Sequence, residues 1–169
     1  CLLLAAQILW QLNPAVDNDR VRLTMLDVGQ GEAIYLEGPG RRTMLVDAGG
    51  MLGEGFDTGQ RAIVPFLWHE GVGRLDVIVL THPQSDHIGG APTVLREVSV
   101  GEVWTGDSPA TSATDVWIQE YLRRRRIPHR VVAAGDPPLR WGRTTVQVLH
   151  PAAENGSAPP IRAGRDSGA

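Results

Sequence analysis

The stretch "RLDVIVLTHPQSDHIGG", Arg74 to Gly90, constrains this chain more than any other part of it. Its first seven residues are of strand length and end in the continuous apolar run Val77 to Leu80, the pattern of a strand covered on both faces rather than on one. The carboxyl end of that strand delivers His82, and Asp86 and His87 follow side by side four and five residues later. In α/β proteins functional groups gather outside the carboxyl ends of strands. Gly89 and Gly90 then let the loop approach its neighbours closely and open a helix, whose N-terminus favours an anionic substrate.

Around this strand the chain changes character once. On its N-terminal side, "VRLTMLDV" (Val21 to Val28) alternates apolar and polar residues with period two, and "EAIYLEG" follows a Gly29-Gln30-Gly31 turn. "GPGRR" is a hairpin signal before "TMLVDAGG", which ends at Asp47 and paired glycines, so three short strands form an antiparallel meander. After it helices and strands alternate. "QRAIVPFLWHEG" reads as a short helix, with Pro65 tolerable only in its first turn and Gly71 as its C-cap. "GGAPTVLREV" is a helix, "VGEVWTG" a strand, and "SATDVWIQEYLRRRRI" a helix with Val116, Ile118, Tyr121 and Leu122 on its inner face. "HRVVAAG" and "TTVQVLHP" complete the strands. Strands first, then alternation, predicts a mixed sheet with helices packed outside it.

The flanks read differently. Residues 1–12, "CLLLAAQILWQL", lack a basic start or a cleavage site and are too short to span a bilayer, which needs about 20 residues. They read either as a buried or interfacial helix or as the end of a transmembrane helix, and a start at Cys rather than Met favours the second. Residues 13–20 are a polar linker, residues 21–151 the domain, and residues 152–169 a disordered or irregular tail of Pro, Gly, Ala and Ser.

Composition limits the chemistry. With 42% hydrophobic and 21% charged residues this is ordinary globular material, and a net charge of −3 announces no nucleic-acid binder by bulk electrostatics. Cys1 is the sole cysteine, so neither a disulfide nor a thiolate zinc site can form within the chain. Any metal must therefore use imidazole, carboxylate or water. His82, Asp86 and His87 are the candidate ligands. Because Asp86 and His87 are adjacent they point in different directions and can share one ion while His82 reaches a neighbouring one. This ligand set suits Zn²⁺ and Mn²⁺ equally.

With these residues in place a resemblance can be stated. "THPQSDHIGG" resembles the H-x-H-x-D-H signature of the metallo-β-lactamase superfamily, with His82, Asp86 and His87 in register and Gln84 where the second histidine stands. "LDVGQGEAIYLEGPGRRTMLVDAGG" and "VPFLWHEGVGRLDVIVLTHPQSDHIGG" further resemble the C-terminal domain of ComEC-type DNA-uptake channel proteins, over about Val21 to His150. Two residues depart from that pattern: Gln84 replaces an Asp, and Glu32 replaces the Asp after G-Q-G. The family's later ligands, an Asp ending a T-G-D strand and a His in an H-H-G-S loop, have no match here, since "WTGD" (Trp104 to Asp107) lies too early.

The resemblance implies a metallo-β-lactamase-like αββα sandwich, present as its N-terminal half, in a truncated chain. It implies a two-metal Zn²⁺ or Mn²⁺ site in the parent protein, incomplete in this chain, with His82 holding the first ion and Asp86 and His87 the second. Asp86 is the candidate catalytic carboxylate, and Gln84 is a weak ligand. Asp47 matches an Asp that orients the ligand loop, although an Asp-Gly turn explains it equally well. Asp27, Gln30 and Glu32 are candidates to line the cleft, with a tight hairpin as the competing account. The implied activity is a nuclease acting on the non-imported strand of transforming DNA. The implied location is the bacterial cell membrane, the domain lying in the aqueous phase on its outer side. Two alternatives stand beside it: a metallo-hydrolase of another substrate class, and a non-catalytic domain that binds DNA or gates a pore. Outside the motif, Arg123 to Arg126 read as a solvated helix end, His69 and His129 as packing residues, and Trp104, Trp117 and Trp141 as core or rim.

Overall fold

The computed structural model describes residues 20–50, 56–108 and 112–151. The apolar segment 1–12, most of the linker and the tail from 152 therefore lie outside the described residues.

Six strands form one sheet in sequential order, β1 (Arg22–Met25), β2 (Ile34–Gly38), β3 (Arg42–Val46), β4 (Arg74–Leu80), β5 (Ser99–Thr105) and β6 (His129–Val131). The first three are antiparallel, as the meander predicts, and β3 to β6 run parallel. The change of sense follows from the connections. A short 3₁₀ turn, Pro39–Arg41, suffices between β2 and β3, whereas each parallel pair needs a crossover long enough for a helix.

Side-chain alternation in the strands builds two cores. Tyr35, Leu45, Ile78, Leu80 and Val103 face the helices and pack with Ile63, Leu67, Ile88, Val94, Ile118 and Leu122. Met44, Val77 and Trp104 face the other way, onto Val132 and Trp141. Trp141 belongs to a two-stranded ribbon, β7 (Leu139–Trp141) with β8 (Thr144–Val146), turned at Gly142 with φ +59°. Gly38 leaves the room this needs, because a Cβ there would lie 2.6 Å from Trp141 Cε3. The described residues thus stack as helices, a six-stranded sheet and the beginning of a second strand layer. β4, covered on both faces, is the interior strand that its sequence predicts.

The helices are α1 (Val64–His69), α2 (Ser85–Ile88), α3 (Ala91–Glu97) and α4 (Ala113–Arg125). Pro65 does sit in the first turn of α1, but a π-helical turn, Gly59–Ile63, runs directly into it. Gly71, with φ +71°, ends that helix. Ser112 caps α4 by accepting the Asp115 N–H at 3.1 Å, and Arg126 closes it in the left-handed region. One expectation for α4 fails: Val116 is 58% exposed. At about 100° per residue Val116 stands about 200° from Ile118, whereas Leu122, four residues on, returns to the same side. Arg123 and Arg124 both pair with Glu120, at 2.6 Å each, so half of the arginine run is engaged on its own helix.

Candidate metal centre

Parallel β3, β4 and β5 end at the same edge of the sheet. Val46 stands beside Val79 and Leu80 beside Thr105, so Asp47, Thr81 and the Gly106–Ser108 turn are neighbours. Asp47 is fully buried, with φ +57° and its N–H donated to Val79 O at 2.8 Å. Its carboxylate accepts three donors: the Thr81 N–H at 2.8 Å, the Thr81 hydroxyl at 2.7 Å and His87 Nδ1 at 2.7 Å. A buried carboxylate needs such a set, since an unpaired charge away from water is costly.

This web fixes both imidazoles. With Nδ1–H of His87 donated to Asp47, the Nε2 lone pair is free, and that atom lies 3.7 Å from Asp86 Oδ2. The Thr81 hydroxyl also lies 3.1 Å from His82 Nδ1, so the same side chain that bonds Asp47 orients the second ring. The two rings lie 3.8 Å apart, centroid to centroid. Gln84 Oε1 sits 3.2 Å from His82 Nε2, within reach to accept a hydrogen bond from it. Ligand atoms of His82, Asp86 and His87 all fall within 4.8 Å of one another. Two imidazoles and a carboxylate converging in this way are a candidate ligand group, and nitrogen with oxygen but no sulfur fits a divalent ion.

Three glycine-rich loops hold this geometry by backbone contact. Ala48 N–H donates to His87 O at 2.7 Å, Gly89 N–H to Gly49 O at 3.0 Å, and Gly90 N–H to Ala48 O at 3.2 Å. The loop of Gln30 and Glu32 closes on the same point: Glu32 N–H donates to Asp86 O at 3.3 Å, and Gly50 N–H to Gln30 O at 3.2 Å. Gly31 is required there twice over, by its φ of +99° and because a Cβ would lie 1.9 Å from Asp86 O.

The structure therefore brings Asp47, His82, Gln84, Asp86, His87 and Glu32 together. A carboxylate oxygen of Glu32 comes within 4.8 Å of ligand atoms of Asp47 and His87. Asp27 instead accepts the Gly29 N–H at 3.1 Å, within the turn. Thr81 is the residue that sequence reading passes over, although it bridges Asp47 to both histidines. Its only signal is a hydroxyl directly before the first histidine at a strand end. A groove of about 500 Å³ runs past Thr81 and His82 toward Asp107, Ser108 and His150.

Residues 26–158 match the metallo-beta-lactamase superfamily as a family. The chain belongs to the metallo-β-lactamase superfamily. Members of that superfamily usually bind divalent metals, and His82, Asp86 and His87 are a candidate ligand group of that kind. The chain is also similar to three competence-type proteins. It is 27% identical to ComE operon protein 3 of Bacillus subtilis (strain 168) over 149 residues, which are 79% of this chain and 19% of that protein. It is 34% identical to competence protein ComA of Neisseria gonorrhoeae over 97 residues, 54% of this chain and 12% of that one. Recombination protein 2 of Haemophilus influenzae (strain ATCC 51907 / DSM 11121 / KW20 / Rd) is 38% identical over 120 residues, 66% of this chain and 15% of that one. The chain thus spans less than a fifth of the length of each. Among solved structures, a diphosphatase from the PhnP family superposes with a TM-score of 0.41 at 15% identity, covering 72% of this chain and 53% of that one.

Proposed function

We propose that this chain is the metal-dependent hydrolase domain of a bacterial DNA-uptake channel protein, a nuclease for the strand that is not imported. The competence-type relatives supply the DNA context. The observation that carries the chemistry is the fixing of His87 by buried Asp47, which leaves Nε2 beside Asp86 as a free ligand atom.

In this reading His82 and the Gln84 carbonyl would hold one divalent ion, Zn²⁺ or Mn²⁺, and Asp86 with His87 would hold a second. Such ions, when bound, act as Lewis acids on a phosphodiester and lower the pKa of bound water toward neutrality. The protein's own part is positional. Asp47 keeps His87 in the ligating tautomer, and Thr81, bonded to Asp47, orients the His82 ring. Orienting partners of this kind typically change metal affinity 10- to 100-fold. The interlocked glycine loops prevent Asp86 from drifting. The domain would work in the aqueous phase outside the cell membrane; among the described residues no helix is long and apolar enough to cross a membrane.

The test is cleavage of end-labelled DNA in the presence of Mn²⁺ or Zn²⁺, with His87→Ala as the control. Cleavage that disappears in the variant supports the reading. Hydrolysis of a chromogenic lactam or ester with DNA untouched would move the domain to another substrate class. Gln84 favours one second reading, a non-catalytic domain that binds DNA or gates a pore, because a neutral amide is a weak ligand. Activity that appears only in Gln84→Asp would establish that reading instead.

A further inference from the structure

The donors that converge on the site are short of charge for a divalent cation. His82, His87 and Gln84 are ligands that bring no negative charge, and the Asp47 carboxylate is already bound by Thr81 and His87. Asp86 is left as the one available anion of the motif loop. Glu32 stands beside it on a different loop. Its backbone is clamped from both sides, the N–H donating to Asp86 O at 3.3 Å and the carbonyl accepting from Gly49 N–H at 2.6 Å. Those bonds tie it to the two loops that carry the other site residues. Its carboxylate comes within 4.8 Å of ligand atoms of Asp47 and His87, yet forms no hydrogen bond or ion pair within the described residues. A carboxylate held that close to a buried carboxylate gains nothing from the arrangement unless a positive charge lies between them or next to them.

We propose that Glu32 supplies the second carboxylate of the cation site, replacing the negative charge that Gln84 does not bring. This rests on the metal-centre reading above and extends it. The residue whose identity looks like a conservative exchange in the Gly-Gln-Gly-Glu turn and the residue whose identity looks like a loss in the motif loop are then two halves of one compensation. A hard oxygen ligand in place of imidazole also turns the site toward Mn²⁺ rather than softer ions.

The experiment is calorimetric titration of Mn²⁺ into the unsubstituted chain, Glu32→Gln, Glu32→Asp, Gln84→Asp and the Glu32→Gln/Gln84→Asp pair, with metal-free melting as the control for folding. Glu32→Gln is expected to weaken Mn²⁺ binding by about tenfold or more, and Glu32→Asp to retain most of it. Gln84→Asp should restore binding when added to Glu32→Gln, since either carboxylate satisfies the same charge. The visible absorption of the Co²⁺ complex should shift in Glu32→Gln as the ligand set changes. Undiminished Mn²⁺ binding and an unchanged Co²⁺ spectrum in Glu32→Gln overturn the role of Glu32 alone. Absence of binding in the unsubstituted chain overturns the metal reading and this proposal with it.

Discussion

Asp47 shows how much one side chain settles. Buried and in the left-handed region, it meets donors from Thr81 and His87, 34 and 40 residues away in the chain. Asp47→Asn keeps the shape and tolerates the positive φ, but turns one oxygen into a donor facing the His87 N–H. The imidazole must then carry its proton on Nε2, the ligating atom. Metal affinity is expected to fall about 10- to 100-fold while the chain stays folded, measured by titration beside a thermal melt. Gly31→Ala tests the loop contact. Strain and collision with Asp86 O are expected to cost on the order of 3 kcal/mol or more, whereas Gly40→Ala, at φ +69° with nothing within 4 Å, pays only the backbone term of about 1–2 kcal/mol. Equal losses in denaturant melts would remove the collision from the account. Tyr35 carries the alkaline limit: burial first, and then Glu37, push its hydroxyl from 10.0 up to about 12. The neutral form is favoured in the folded chain, so this stability is whole below pH 10 and is lost as pH rises through about 12. Among the described residues its hydroxyl has no hydrogen-bond partner, so Tyr35→Phe is expected to fold at least as stably and to flatten that alkaline loss.

At the scale of elements, what the sequence makes legible depends on length and on periodicity. β4 and α3 could be read because the apolar run Val77 to Leu80 and the paired Gly89-Gly90 leave few alternatives, whereas Asp86 and His87, which read as loop, lie in the one-turn α2. β7 could not, since "LRW" is three residues long and carries no period of its own; it exists because Trp141 finds the floor of Met44, Val77 and Trp104. The π-helical turn before α1 is likewise invisible, a local shift of register with no residue type that marks it. Val116 is apolar yet faces solvent, because its angle around the helix and not its character sets its side. Trp141→Ala should therefore unfold more than its three-residue strand implies, losing about 3–5 kcal/mol in a chemical melt, as expected for a large buried side chain. Ser112→Ala should cost only about 1 kcal/mol, the worth of one N-cap.

Across the whole molecule, the mixed sheet does the functional positioning. Three parallel strands deliver Asp47, Thr81 and the Gly106–Ser108 turn to one edge, and the antiparallel pair brings the Glu32 loop onto that same edge. The residue types of the candidate site can be read from "THPQSDHIGG", a stretch that lies inside the residues 26–158 matched by the superfamily. The web joining them was not readable, because hydrogen bonds across 34 to 40 residues leave no spacing in the sequence. The most direct test of the central claim is titration of Mn²⁺ and Zn²⁺ into this chain beside His87→Ala. Binding at micromolar or tighter, lost in the variant, is the expected result. A folded chain that takes up neither ion, or a His87→Ala variant that binds as well as its parent, would contradict the metal centre outright.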